Sequence, residues 1–150
     1  MDKVKYMELA LREAREAFLE DEVPVGAIIV YKDKVIASGH NHKEKMQSAL
    51  FHAEIEVIKQ ACDYLDTWHL EECMMYVTLE PCLMCTGAII NSRIKEVIYA
   101  TKDPKGGALN SCIELKNIKG LNHYPEIDSG YLQEEAAYLL RKFFASKRKK

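Results

Sequence analysis

Apolar side chains at Met7, Leu11, Ala14 and Phe18, with Ala10 and Ala17 beside them, recur at the spacing of one helix face and predict an amphipathic helix over residues 3–19. Pro24 forbids its continuation. The runs 25–31 and 35–38 flank Lys32-Asp33-Lys34 and read as a strand, a tight turn and a second strand. Residues 40–51 are polar and irregular, after which Ile55, Val57, Ile58 and Ala61 place a helix over 52–64. A β-branched and aromatic run at 74–79, closed by Pro81, predicts a strand that stops there. Residues 83–91 are apolar nearly all round, as in a buried helix. A short strand is expected at 96–100, a short helix at 109–115 and an amphipathic closing helix at 131–144, with a further short strand between the last two. This order implies a layered α/β sandwich on one mostly parallel sheet opened by a hairpin.

Composition adds limits. The 150 residues are 48% hydrophobic and 29% charged, ordinary for a globular chain, and no repeat or linker divides them, so residues 1–150 are expected to form one domain. The longest apolar run, 25–31, is far short of the roughly 18 residues of a membrane span. The first residues lack the apolar stretch of a secretory signal, which makes a soluble, cytoplasmic protein the expectation. In a reducing compartment the five cysteines read as thiols or metal ligands rather than disulfides. The formal net charge is -2, yet Arg141, Lys142, Lys147, Arg148, Lys149 and Lys150 crowd the end, giving a basic C-terminal tail over 143–150.

Two segments carry chemistry: His52-Ala53-Glu54 and Pro81-Cys82-Leu83-Met84-Cys85. Cys-x-x-Cys at a helix start lets two sulfurs share one ion, and His52 supplies a nitrogen. Three protein ligands and one open corner are the catalytic zinc arrangement, whereas structural zinc closes all four. Cys62 is about 15 Å along the helix from His52, and Cys73 begins the strand that ends near Cys82, so neither closes the site. Cys112, His40, His42, His69 and His123 are not ruled out by distance but have no partner at ligand spacing. Both segments fall at expected helix N-termini, whose dipoles favour thiolate. Two thiolates and a neutral imidazole just cancel Zn²⁺, and the ion lowers the pKa of a water toward about 7. Glu54, in the same first turn as His52, can then take a proton and hand it to a leaving nitrogen. Alone, it would be an ordinary acid of a first helical turn.

The pattern H-x-E followed by P-C-x-x-C is the signature of zinc-dependent cytidine and adenosine deaminases. Within that superfamily the chain resembles the bacterial tRNA-specific adenosine deaminases over nearly its whole length. Glu22-Val23-Pro24-Val25-Gly26-Ala27, His40-Asn41, His52-Ala53-Glu54, Tyr76-Val77-Thr78-Leu79-Glu80-Pro81-Cys82, Asp103-Pro104-Lys105-Gly106-Gly107, Asn122-His123 and Phe143-Phe144 carry the resemblance. It implies a cytidine-deaminase-like three-layer α/β sandwich with a mixed central sheet of about five strands flanked by helices. It implies one Zn²⁺ per subunit on His52, Cys82 and Cys85, Glu54 as proton shuttle, a homodimer, and hydrolysis of adenosine to inosine at the wobble position of a tRNA anticodon stem-loop. Asn41 would hydrogen-bond the nucleoside and Asp103 would lie near the flipped nucleotide. Pro24, Val25, Ala53, Lys105, Asn122, His123 and Phe144 complete the implied substrate surface, to which the basic end adds Arg148. Where the family often has Pro-Thr-Ala before the histidine, this chain has Ala49-Leu50-Phe51.

Two other functions compete. A deaminase of a free base or nucleoside (guanine, cytosine or cytidine) would gain nothing from a basic tail. A non-catalytic, zinc-stabilised interaction domain would have no use for Glu54.

Overall fold

A computed structural model of the chain describes residues 2–148; Lys149 and Lys150 of the expected tail lie outside the described residues. The elements run α1 (Lys3–Leu19), β1 (Gly26–Tyr31), β2 (Lys34–His40), α2 (Lys43–Met46), α3 (Ala53–Leu65), β3 (Cys73–Leu79), α4 (Leu83–Asn91), β4 (Glu96–Thr101), β5 (Glu126–Ser129) and α5 (Gln133–Arg148). Lys32 and Asp33 both take positive φ, 49° and 61°, the two-residue turn whose twist matches a hairpin.

The five strands stand in the order β2-β1-β3-β4-β5. β1 is antiparallel to both of its neighbours, while β3-β4 and β4-β5 are parallel, so the sheet is mixed rather than mostly parallel. Side chains alternate across it. Ala27, Ile29, Met75, Val77, Val97 and Tyr99 form one core with Ala53, Val57 and Ala61 of α3 and Ile89 of α4. Ile28, Val30, Tyr76, Ile98 and Ala100 form the other with Tyr6, Met7, Ala10, Leu11 and Ala14 of α1 and Ala136 of α5. The expected three layers are present.

Three further elements differ from expectation. Residues 109–115 are not a helix: they turn, with a lone bridge between Asn110 and Glu114, before a single 3-10 turn at Leu115–Asn117. α5 begins later than expected and continues through Arg148, so the helix expected to end at 144 takes in residues 145–148 of the basic tail. α4 is only half-buried: Cys85, Thr86 and Ile89 face the core, but Leu83 is 61% exposed. Its uniformly apolar sequence hid which face turns outward.

Register sets the position of the site. Gly26 pairs with His40, and Leu79 with Thr101, so the start of β1 and the ends of β2, β3 and β4 share one edge of the sheet. The starts of α3 and α4 follow there.

Candidate active site

His52 and Cys82 are the N-cap residues of α3 and α4, both with extended backbone. Each helix therefore begins at a candidate metal ligand, and Cys85 is one turn into α4. His52 Nδ1 lies 3.7 Å from Cys82 Sγ and 3.6 Å from Cys85 Sγ. A tetrahedral zinc with Zn–N of about 2.0–2.1 Å and Zn–S of about 2.3 Å has an N···S edge of about 3.6 Å, so both N···S edges already have the spacing that zinc requires, and all three ligand atoms lie within 4.8 Å of one another. Cys85 is buried, and His52 and Cys82 are partly open.

Ionisation within the cluster agrees. The Cys85 thiol, opposed by burial and helped by His52, brings Cys82 down to about 4. The same contact with Cys82, together with burial, pushes Cys85 well up. The hydrogen bond with Cys82 raises His52 above the ordinary histidine value. One sulfur is thus a thiolate held by the proton of the other, and metal coordination deprotonates such a thiol. Of the other candidate ligands, Cys73 is fully buried at the far end of β3, and burial raises its thiol to about 11.

Glu54 is 4% exposed on the inward face of α3, close enough to His52, Cys82 and Cys85 for each to bear on its charge. Burial pushes its carboxyl up to about 7. Beside it, Ala53 N–H donates to Asn41 Oδ1 at 2.8 Å, which ties the end of β2 to the start of α3. Asn41 N–H donates in turn to the Val25 carbonyl, so Val25, Asn41 and Ala53 form one connected wall with Pro24.

A cleft of about 770 Å³ is lined by Val23, next to Pro24 in the chain, with Leu79, Lys102, Asp103, Lys105, Leu140, Arg141, Phe144, Lys147 and Arg148. It does not include the three ligands themselves: Leu79 ends β3, three residues before Cys82, and Val23 lies in the irregular segment just before Pro24. Asp103, Lys105, Phe144 and Arg148 from the sequence-based set are together here, joined by Arg141 and Lys147 of the basic end, and Lys102 adds charge that the sequence did not single out. Phe143 is buried, packing edge-on against Phe18, while Phe144 is 45% exposed. Asn122 and His123 are not brought to this cleft; His123 Nε2 donates to the carbonyl of Ile94, ahead of β4 and at the opposite end of that strand.

Two buried acids that sequence reasoning passed over hold the loops in place. Glu80 accepts from the backbone N–H groups of Asp103, Leu109 and Asn110 and from the Ser111 hydroxyl, so one carboxylate fastens the whole loop below the cleft. Gly107 leaves room for it, since a Cβ there would collide with that carboxylate. Glu22 accepts from Glu44 and Lys45 N–H and anchors α2. Both stand in segments that carry the family resemblance, but no local pattern marked either as an anchor for a distant loop.

The family profile of MafB19-like deaminases matches residues 1–148. The chain is 44% identical over 145 residues to the tRNA-specific adenosine deaminase of Bacillus subtilis (strain 168), covering 97% of this chain and 90% of that one. It is 45% identical over 144 residues to the protein of that name from Rickettsia typhi, covering 95% and 97%. A solved structure from work on A-to-I editing by tRNA:A34 deaminases at the wobble position of transfer RNA superposes with a TM-score of 0.89 at 42% identity, over 92% of this chain and 100% of that one. A guanine deaminase from Nitrosomonas europaea shares the fold, with a TM-score of 0.82 at 23% identity over 96% and 85%.

Proposed function

The chain belongs to the family of tRNA-specific adenosine deaminases, and on that footing we propose that it hydrolyses the exocyclic amine of adenosine at the wobble position of a tRNA anticodon, leaving inosine. One observation carries this reading: the three-ligand cluster and buried Glu54 share a sheet edge with a cleft rimmed by Lys102, Lys105, Arg141, Lys147 and Arg148.

His52, Cys82 and Cys85 would hold one zinc ion, which when bound makes a water acidic enough to attack near neutral pH. Glu54 takes a proton from the attacking water on its carboxylate and returns it to the departing amine. Burial suits it to both tasks, because a carboxyl brought near the working pH gives up and accepts a proton with similar ease. Asn41 has its carboxamide oxygen occupied by Ala53 N–H, so its NH₂ group is the donor left for an acceptor on the nucleoside. Pro24, Val25 and the Ala53 backbone shape the wall around the flipped base. Asp103, Lys105, Phe144 and Arg148 take the neighbouring nucleotides, the cations on phosphates and the Phe144 ring against a splayed base.

The outward face of α4 supplies a basis for a homodimer. Leu83 is exposed, and a Cβ built at Gly87 would meet nothing within 4 Å, so this apolar helix has room for a second copy. No helix among the described residues is long and apolar enough to cross a membrane, and a tRNA-modifying role implies a cytoplasmic address. Sedimentation at micromolar concentration tests the dimer: a single-chain species alone would contradict it.

The substrate is tested by offering the pure protein an anticodon stem-loop with adenosine at the wobble position, free adenosine, cytidine and guanine, and measuring inosine and ammonia. Inosine in the stem-loop, with little turnover of the small molecules, is expected. Release of ammonia from guanine or cytidine, with the stem-loop untouched, would overturn the reading.

A further inference from the structure

A second group of metal-ligating side chains lies outside the site just described. His40 ends β2, His42 precedes α2 and Glu20 follows α1, and one donor atom from each lies within 4.8 Å of the other two. Glu20 Oε1 is the meeting point, 3.0 Å from His40 Nε2 and 3.5 Å from His42 Nε2.

The far sides of both rings are informative. His40 Nδ1 is 2.7 Å from Glu13 Oε1, and His42 Nδ1 is 2.8 Å from Glu56 Oε2. Metal-binding histidines characteristically donate their second ring N–H to a carboxylate, which fixes the tautomer and leaves the other nitrogen free to bind. Here that pattern occurs twice, with both Nε2 atoms turned toward one carboxylate. Gly39 is part of the construction: a Cβ at that position would stand 2.9 Å from the Glu56 carboxyl carbon. Among the described residues, no lysine or arginine lies within 4.0 Å of Glu13, Glu20 or Glu56; two imidazoles face three carboxylates, with Lys45 near enough to act on the Glu20 charge without pairing with it. A cation held there would relieve that excess. The Glu20 side chain is 39% exposed and leaves a route for loading, while the His40 side chain is 11% exposed and gives a firm base.

We propose that His40, His42 and Glu20 form a second metal site, for a borderline divalent cation of the zinc class, with Glu13 and Glu56 orienting the two rings. Nitrogen donors with a single carboxylate suit zinc rather than calcium or magnesium, which take oxygen ligands. The ion would join the end of α1 to the segment on either side of Asn41. It would therefore position a substrate-contacting residue without touching the substrate.

Cobalt(II) titration of the full chain, read by absorbance and by bound metal per chain, tests this. The thiolate site gives sulfur-to-metal charge-transfer absorption; the second site should add a further equivalent with weak visible bands and no sulfur band. The second equivalent should be lost, or weakened at least tenfold, in His42→Ala and in Glu20→Gln, and weakened about tenfold in Glu56→Gln, with unchanged circular dichroism. Cys82→Ala should lose the sulfur band and keep the second equivalent. Uptake that stops at one equivalent in the wild-type chain overturns the proposal. So does a second equivalent that carries a sulfur band or survives in both His42→Ala and Glu20→Gln. Magnesium or calcium competing as well as zinc would overturn the assigned metal class.

Discussion

Cys82 shows how much a single side chain carries here. It caps α4, approaches His52 across the gap between two helices and is held as a thiolate by Cys85. Removing it should cost both the metal and the link between the helix starts, because binding energy at such a site is also folding energy. Cys82→Ala is expected to bind no zinc at the sulfur site and to melt several degrees lower; full occupancy with an unchanged melting temperature would count against the assignment. Glu80 works by hydrogen bonding alone. Truncating it strips the partner from three backbone N–H groups, at about 1–3 kcal/mol for each group left buried. Glu80→Ala should raise KM for the stem-loop by loosening residues 103–111, with the thiolate–metal spectrum intact. A loss of metal instead would mean that the loop supports the cluster directly.

At the scale of elements, α1 lies so close to β1 that Gly26 is obligatory. A Cβ there would run into the Ala10 carbonyl and the Ala14 amide, both backbone atoms that cannot swing away. Gly26→Ala should destabilise the fold by about 1–3 kcal/mol, measurable by urea denaturation. The other end of α1 is tied electrostatically: Lys3 Nζ reaches Glu96 at 3.0 Å and Asp128 at 2.7 Å. The hydrogen bond from Lys3 holds the Asp128 carboxyl below the usual aspartate range. Its stabilisation is therefore complete above the ordinary value near 4 and fades as pH falls through the lower folded value. Because the pair is partly exposed, Asp128→Asn should cost less than about 1 kcal/mol at pH 7 and almost nothing near pH 2. An equal cost at both pH values would contradict the sign. Helical and strand periodicity made α1, the hairpin, α3 and β3 legible in the sequence, since each repeats its pattern over a full element. The segment 109–115 was not legible, because Leu109, Ile113 and Leu115 have near-helical spacing while Glu80, some thirty residues away, imposes a turn. The three ligands were legible for the opposite reason: Cys-x-x-Cys and His-x-Glu are local, and helix starts place them predictably. Glu22, Glu80 and the Glu20–His40–His42 group depend on contacts across the fold that leave no periodic trace.

For the molecule as a whole, a net charge of -2 coexists with a basic cleft, so positive charge is concentrated where a polyanion would lie. Binding should weaken steeply with salt through counterion release, with Lys105→Ala and Arg148→Ala each flattening the log–log slope by about 0.7–0.9 for every phosphate no longer neutralised. An unchanged slope in the double variant would remove the cleft from the RNA surface. Glu54, beside the residues that would hold zinc, is the group proposed to move the proton in adenosine hydrolysis. Its most direct test is single-turnover inosine formation on the anticodon stem-loop by wild-type and Glu54→Gln protein matched for zinc content. One zinc at the thiolate site is expected in both proteins, with a rate at least about a hundredfold lower in Glu54→Gln. Inosine formed at the wild-type rate by zinc-loaded Glu54→Gln would contradict it.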